Sequence, residues 1–434
     1  MNIKNSLLAI CLYSVITVVH ADTEQVIISH VNKGLAQSLI ELEQVVNINS
    51  GTMNFTGVKQ VGDVFKKQFE QLGFETQWLD GSEFNRAGHL VAKYGNNGPK
   101  ILMIGHLDTV FSQNDTFQKF KRINDTQIAG PGITDMKGGD VIIVAALRAL
   151  KAAGVLDKVS IQVVMTGDEE SSGQPLIKSK KALVDAAKWA DIALGFEDGD
   201  GDIGTAVVAR RGSVGWTLDV TGKPAHSSQI FREDIGFGAV FEIARILNTY
   251  REELSSVENL TFNPGLLLGG TRIDDEGKSG QGYAFGKSNV IAKTAKVSGG
   301  IRAISPQQLS DAKKEMQKIT ANSLAHTSAK LTFAEGYPPM APTKANYKLL
   351  ALYNKVSQEL GYGEVVAVDP RRAGAADISF AATHVKMSLD GLGLMGTGGH
   401  TKDEVADISS LEKNTNKAAL LIYRLSESGL EALK

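Results

Sequence analysis

Cysteine is almost absent. The 434 residues hold one, Cys11, so no intrachain disulfide can form and a disulfide framework is excluded. Ten prolines are too few for a proline-rich linker. Charge of one sign is lacking too. Lys plus Arg number 46 against 48 Asp plus Glu, a net charge of −2. No basic stripe stands out locally, so nucleic acid is not an expected partner. Long apolar runs are missing beyond the N-terminus, so no transmembrane helix is expected in the body of the chain. What is present is an ordinary soluble composition, 42% apolar and 22% charged, which excludes disorder, coiled coil and collagen. Glycine is plentiful at 45 residues. With so little proline, that points to many tight turns.

The N-terminus reads Lys4, an apolar run Leu7–Val19, then Val19-His20-Ala21. The run falls short of the roughly 20 residues a spanning helix needs. The pattern predicts a signal peptide over 1–21, cleaved after Ala21, and a periplasmic or secreted protein with no membrane attachment after cleavage. Cys11 leaves with it. Bulky Ile10 and the early position of Cys11 argue against a lipoprotein.

Helices and strands alternate through most of the chain. An amphipathic helix over 58–72 stops at Gly73. Strands are expected at 74–78, 89–92, 100–105, 160–166 and 191–196, with an apolar helix at 138–153. This alternation predicts an α/β fold with a mainly parallel central sheet. After Arg211 the texture changes. Residues 216–220 alternate as a one-sided antiparallel strand does. Segments 266–273, 288–297, 299–303 and 331–334 look like strands, and Ser305-Pro306 opens a helix. The expected organisation is a catalytic domain over 22–211 and 338–434, interrupted by an α+β lid or dimerisation domain at 212–337.

Five short segments carry chemistry, most at the carboxyl ends of expected strands, where open α/β sheets bind ligands. Gly105-His106-Leu107-Asp108 offers an imidazole with an acidic neighbour for its second nitrogen. Gly130-Pro131-Gly132-Ile133-Thr134-Asp135 is a glycine-rich loop; it lacks the Gly-Lys-Ser/Thr ending of a phosphate loop. Asp168-Glu169-Glu170 sets three acids in a row, an expensive arrangement unless cations compensate it. One of these glutamates can bind metal while the other takes a proton from water. Glu197 ends another strand, and His400 follows a late one. Together His106, Asp135, Glu170, Glu197 and His400 supply two nitrogens and three carboxylates, which suits a pair of zinc-like ions.

With these motifs the sequence resembles the dinuclear zinc peptidase and aminoacylase superfamily, within it the glutamate carboxypeptidase (carboxypeptidase G) branch. The resemblance covers nearly the whole mature chain. It implies two Zn2+ per subunit, with Co2+ or Mn2+ also compatible. Asp135 then bridges the ions, His106 and Glu197 hold one, and Glu170 and His400 hold the other. Asp108 orients His106, and Glu169 is the general base. The peptide after Asp135 is expected to be cis. His226, in Gly222-Lys223-Pro224-Ala225-His226, matches a lid histidine that stabilises the oxyanion across a homodimer. Asn289, Arg302 and Gly374 match substrate contacts, Arg302 for a substrate carboxylate. Three positions depart from the family pattern: Gly300 before the arginine, the Gly374-Ala375-Ala376-Asp377 loop, and Asp198.

The implied activity is hydrolysis of an amide bond next to a free carboxylate, in a small peptide or N-acyl amino acid, releasing a C-terminal amino acid. Aminopeptidase, dipeptidase and deacylase chemistry on the same centre are the alternatives, and a non-catalytic periplasmic binding protein is the remote one. His30, His89, His326 and His384 read as structural or surface residues, and Arg210 and Arg211 as a basic pair at the domain junction that takes part in a hinge-side salt bridge.

Overall fold

The computed structural model describes residues 3–275 and 280–428, with side chains from residue 23 onward. The expected leader over 1–21 therefore lies outside the residues whose side chains are described. Among the described residues, no helix is long and apolar enough to cross a membrane. The chain divides into two compact units, Met1–Val208 with Thr343–Arg372 and Ala376–Lys434, and Ala209–Pro342 with Ala373–Ala375.

The first unit is built on a six-stranded sheet in the order Glu75–Asp80, Gly88–Tyr94, Ser160–Thr166, Lys100–His106, Ile192–Gly195, Met387–Leu389. The two outer ladders at one edge are antiparallel. The three ladders that follow are parallel. The strand Lys100–His106 is buried at every position but its first, which its unbroken apolar run requires of a strand covered on both faces. The helix Gly138–Ala152 is likewise buried on nearly every face. It packs against the N-terminal helix Ile3–Val46 and the C-terminal helix Ser409–Ser428. The helix Phe55–Gln71 starts on Asn54, whose side chain accepts from the Gly57 N–H, and it buries Val58, Val61, Phe65 and Phe69.

The second unit is a four-stranded antiparallel sheet in the order Thr261–Gly270, Thr294–Arg302, Val214–Gly222, Thr327–Phe333. Val214–Gly222 alternates buried and partly exposed residues, as a one-sided sheet demands. Trp216, Leu218 and Val220 face Ile243, Ile246, Tyr250 and Met316 of the helices Gly238–Leu254 and Pro306–Ala321 in one core. Ser305 caps the second helix by accepting from Gln308 N–H, as expected. One expected strand is shorter than its sequence pattern. Residues 288–289 are a turn, Val290 makes an isolated bridge to His226, and the continuous strand starts at Thr294. Their backbone groups are spent elsewhere: Asn289 O accepts from Ser227 N–H, and Ile291 N–H donates to Ala225 O.

The helix start at Gly138-Gly139 lies against the chain leaving the strand Ile192–Gly195. A Cβ on Gly139 would stand 1.9 Å from the Phe196 carbonyl oxygen, a backbone atom that cannot swing aside. Gly139→Ala is expected to lower stability by about 1–3 kcal/mol, read as a fall in the denaturant midpoint without a change in slope.

Candidate metal centre

Sheet register brings the site together. In the parallel ladders His106 lies opposite Thr166, and Ile104 opposite Gly195. The chain thus leaves three neighbouring strands at one level, and Asp108, Glu169-Glu170 and Glu197 emerge side by side. Asp135 arrives from the loop that opens the helix Gly138–Ala152. Gly132 in that loop has φ 70°, and a Cβ there would meet Thr109 Cγ2 at 2.3 Å. The Asp135–Met136 peptide is cis, as expected.

The two oxygens of Asp135 face two imidazoles. Its Oδ1 lies 2.9 Å from His106 Nε2, and its Oδ2 lies 2.8 Å from His400 Nε2. Glu197 Oε1 stands 3.7 Å from His106 Nε2, and Glu170 Oε2 stands 3.1 Å from His400 Nε2. This gives two donor triads, His106–Asp135–Glu197 and Asp135–Glu170–His400, each with its ligand atoms within 4.8 Å of one another. The side chain of His106 is 1% exposed and that of His400 57%, so the second triad is the one open to solvent.

Asp108 differs in detail from its expected role. His106 Nδ1 bonds the main-chain oxygen of Asp108 at 2.9 Å, while the carboxylate Oδ1 lies 3.5 Å away. The carboxylate instead accepts the N–H groups of Glu169 at 3.0 Å and Glu170 at 3.2 Å, and the Thr52 hydroxyl at 2.6 Å. It fixes the backbone of the two glutamates as well as standing beside the histidine.

Two supports lay outside the sequence reading. Glu404 is fully buried and accepts N–H groups from Gly132 at 2.8 Å, Thr134 at 2.9 Å and Asp135 at 3.3 Å. It holds the loop that presents Asp135. Asp168, first of the three acids, faces away from the metal centre: its compensating cation is Lys180, at 2.9 Å, which also pairs with Asp377 at 3.0 Å. The Thr166 hydroxyl donates to Asp377 as well. His89 is buried beside this group, with Nε2 on Ser179 O and Nδ1 accepting Gly167 N–H, a structural role as expected. No local pattern signals either pairing, because Lys180 and Glu404 sit in stretches that read as surface charge.

The electrostatics fit a cationic occupant. Burial drives the carboxyls of Glu169 and Glu197 well above the usual glutamate range, and Glu170 upward too. Burial opposes protonation of His106, yet Glu197, Asp108 and Asp135 outweigh it and hold its pKa well above 6.5. Hydrogen bonds to Asp135 and Glu170 lift His400 to about 11. A cluster of carboxylates this dense keeps protons where it has no cation. Two divalent ions on the same nitrogens and oxygens would replace those protons, and the donor set of imidazole and carboxylate suits them.

The remaining expected residues belong to the second unit. His226 is exposed on a turn, with Nδ1 2.8 Å from Ser228 Oγ, and its backbone forms a bridge with Val290. Asn289, exposed, is thereby beside the His226 turn. Arg302 is exposed at the end of its strand. Gly374 is exposed, and its carbonyl accepts from Arg210 Nη1 at 2.8 Å. Arg210 is buried and engaged with this loop.

Metal loading is expected to release protons, because the raised histidine and glutamate groups must give theirs up. Metal affinity should therefore fall as pH is lowered. Calorimetric titration of the metal-free protein in buffers of different ionisation enthalpy checks this; proton uptake on loading would contradict it. Lys180→Met leaves Asp168 and Asp377 buried without their cation and should cost about 3–5 kcal/mol of stability, measured by chemical denaturation.

Residues 102–424 match the model of peptidase family M20/M25/M40. Carboxypeptidase G2 of Pseudomonas sp. (strain RS-16) is 26% identical over 391 residues, 88% of each chain. Aminopeptidase PepT from Bacillus cereus shares the fold with a TM-score of 0.71 at 19% identity, covering 90% of this chain and 98% of that one. A dinuclear metal binding peptidase of the M20 family from Bacillus subtilis does so with a TM-score of 0.63 at 14% identity, over 92% and 99%. With a family model spanning most of its length and both donor triads in place, the chain belongs to the metallopeptidase family M20/M25/M40.

Proposed function

We propose that this chain is a two-zinc amidohydrolase of the carboxypeptidase type. It releases a C-terminal amino acid from a small peptide or an N-acyl amino acid. The observation that carries the reading is the pair of donor triads sharing Asp135, with Glu169 fixed next to them by Asp108. The similarity to Carboxypeptidase G2 over 88% of both chains supports the carboxypeptidase assignment over other amide hydrolases. His106 and Glu197 would hold one ion and Glu170 and His400 the other, with Asp135 between them. Zinc suits two imidazoles among carboxylates, and cobalt or manganese is compatible.

The ions, when bound, supply Lewis acidity and make water more acidic. Glu169 takes the proton of the attacking water and delivers it to the leaving nitrogen. Burial keeps that carboxyl poised to carry a proton. Asp108 holds the Glu169 and Glu170 backbone through two N–H bonds. His226 donates to the developing oxyanion from the partner subunit of a homodimer. Arg302 pairs with the substrate carboxylate through its guanidinium fork, and Asn289 and Gly374 complete the contacts. The exposed apolar side chains of the second unit, Phe231, Val240, Phe241, Leu267, Tyr283 and Phe285, support a dimer through that unit. The N-terminal pattern supports a periplasmic or secreted location.

The test uses the metal-loaded protein beginning at Asp22 and a panel of N-acyl amino acids, peptides and amino-acid amides. Amine release should require a free C-terminal carboxylate and disappear with chelator. Glu169→Gln should lower kcat by about 10²–10⁴-fold with metal content unchanged. Cleavage that needs a free N-terminus and tolerates a blocked carboxylate would move the assignment to aminopeptidase. No turnover on any substrate would favour a binding protein on this fold.

A further inference from the structure

The turn after Glu170 is gripped by a side chain from the neighbouring hairpin. Between the antiparallel strands Glu75–Asp80 and Gly88–Tyr94 the chain makes a short 3-10 turn, Ser82–Phe84. Arg86 leaves this connection and reaches residues 171 and 172. Its Nε donates to Ser171 O at 2.6 Å, and its Nη2 donates to Ser172 O and Ser171 Oγ, both at 3.1 Å. Nη1 returns to Asn85 O at 2.6 Å. All three guanidinium nitrogens are engaged, in a fork that the single nitrogen of a lysine cannot copy.

The base of this clamp is fixed. Phe84 is 5% exposed, and its ring stacks on His89 with the centroids 5.1 Å apart. His89 is itself bonded through both ring nitrogens. Arg86 N–H donates to Gly81 O at 3.0 Å, and a Cβ on Gly81 would stand 2.4 Å from Arg86 O, so the connection is tightly closed. The contact continues past the serines. Gln174 N–H donates to Phe84 O at 3.2 Å, and a Cβ on Gly173 would meet the same oxygen at 2.4 Å.

Glu170 therefore stands between two grips. Asp108 accepts its N–H from one side. Arg86 holds the carbonyls of the two residues that follow it, by charge-assisted bonds. Ser171 is exposed, so water competes for those carbonyls where the arginine is lost. We propose that Arg86 is a positioning residue for the solvent-open half of the metal centre. It fixes the Ser171–Ser172 backbone so that Glu170 Oε2 stands ready beside His400 Nε2, 3.1 Å away. It acts through the backbone and is itself no ligand. The inference rests on the function proposed above, in which Glu170 and His400 hold one of the ions. The other triad, His106–Asp135–Glu197, contains no residue that Arg86 bonds, so its ion should not depend on the clamp.

The experiment titrates the metal-free protein with Zn2+ against a chromogenic chelator and resolves the two affinities. Arg86→Met keeps the apolar stem and removes the donors. It should weaken one ion by about tenfold or more and leave the other within about twofold. His400→Ala identifies the weakened ion: in that background, Arg86→Met should change nothing further. Arg86→Lys keeps the charge without the fork, and should weaken the same ion by less. Equal weakening of both ions, weakening of neither, or a lysine variant indistinguishable from wild type would overturn the assignment. If Arg86→Met does not fold, the lysine variant decides by the same selective loss. Amide cleavage reads the separate question of function. Selective weakening in a protein that cleaves no amide would keep the clamp and remove the hydrolase reading. Cleavage by the wild type, with an Arg86→Met titration like its own, would do the reverse.

Discussion

The first unit depends on where one carboxylate stands. Asp135 turns one oxygen to His106 and the other to His400, at 2.9 and 2.8 Å, so its position fixes the spacing of both donor triads at once. Asp135 lies on neither a strand nor a regular helix; its φ of −119° and ψ of 90° break the helical path around it. A loop carrying such a residue needs its backbone donors satisfied by something fixed. Glu404 does this, collecting three successive-region N–H groups in a fully buried position. Burial raises its carboxyl to about 7 while the Thr134 and Gly132 N–H groups act in the opposite sense. The loop is therefore held by a charge-assisted contact that water does not reach.

Two different cations answer the acidity of this region. Asp168, Glu169 and Glu170 are consecutive, yet they divide between two environments. Burial raises the Asp168 carboxyl, but Lys180, His89, the Ser179 hydroxyl and the Gly173 N–H together outweigh it and hold it below the usual carboxylate range, at about 2. Glu169 and Glu170 are pushed upward by burial, and neighbouring acids add to the effect. Breaking a buried pair is costly, whereas a carboxyl left without a partner can neutralise itself by taking a proton. Lys180 thus answers the acid that anchors the loop, while Glu170 faces His400 in a donor triad that suits a cation.

The sequence made some of this legible and hid the rest for physical reasons. His106, Glu169, Glu170 and Glu197 follow apolar runs that read as buried strands, and parallel register then places strand ends together without further information. Asp135 and His400 stand on loops; residue type and position after expected elements grouped them with the strand-end acids, and the resemblance assigned which ion each would hold. Lys180 and Asp377 were illegible, because a buried triad joining residues so far apart has no local pattern. Glu404, in Lys402-Asp403-Glu404, looks like any solvated charge run. The strand expected over 288–293 failed for a related reason. Its residues have the composition of a strand, but the His226 turn competes for their backbone groups and wins. Tertiary hydrogen bonding overrode a propensity that is weak by itself. The helix reaching Val46, absent from the sequence-based expectations, buries Ile27, Val31, Leu42 and Val46.

The two donor triads differ in how they are held, and the difference follows from topology. His106 ends a central strand and is 1% exposed, and Glu197 follows the neighbouring strand. That triad inherits the rigidity of the sheet. His400 sits at φ 63°, more than half exposed, on the loop that joins the short paired strands Gly396–Thr397 and Val405–Asp407. Its loop is short: Thr401 N–H returns to Gly398 O, and Glu404 N–H to Thr401 O. Glu404 closes this same loop and binds the backbone around Asp135. One buried carboxylate therefore ties together the two loops that supply the exposed triad, and neither can shift without straining the contacts of the other. The sheet organises the buried half of the centre; in the open half it supplies Glu170, and Glu404 steadies the two loops that carry Asp135 and His400.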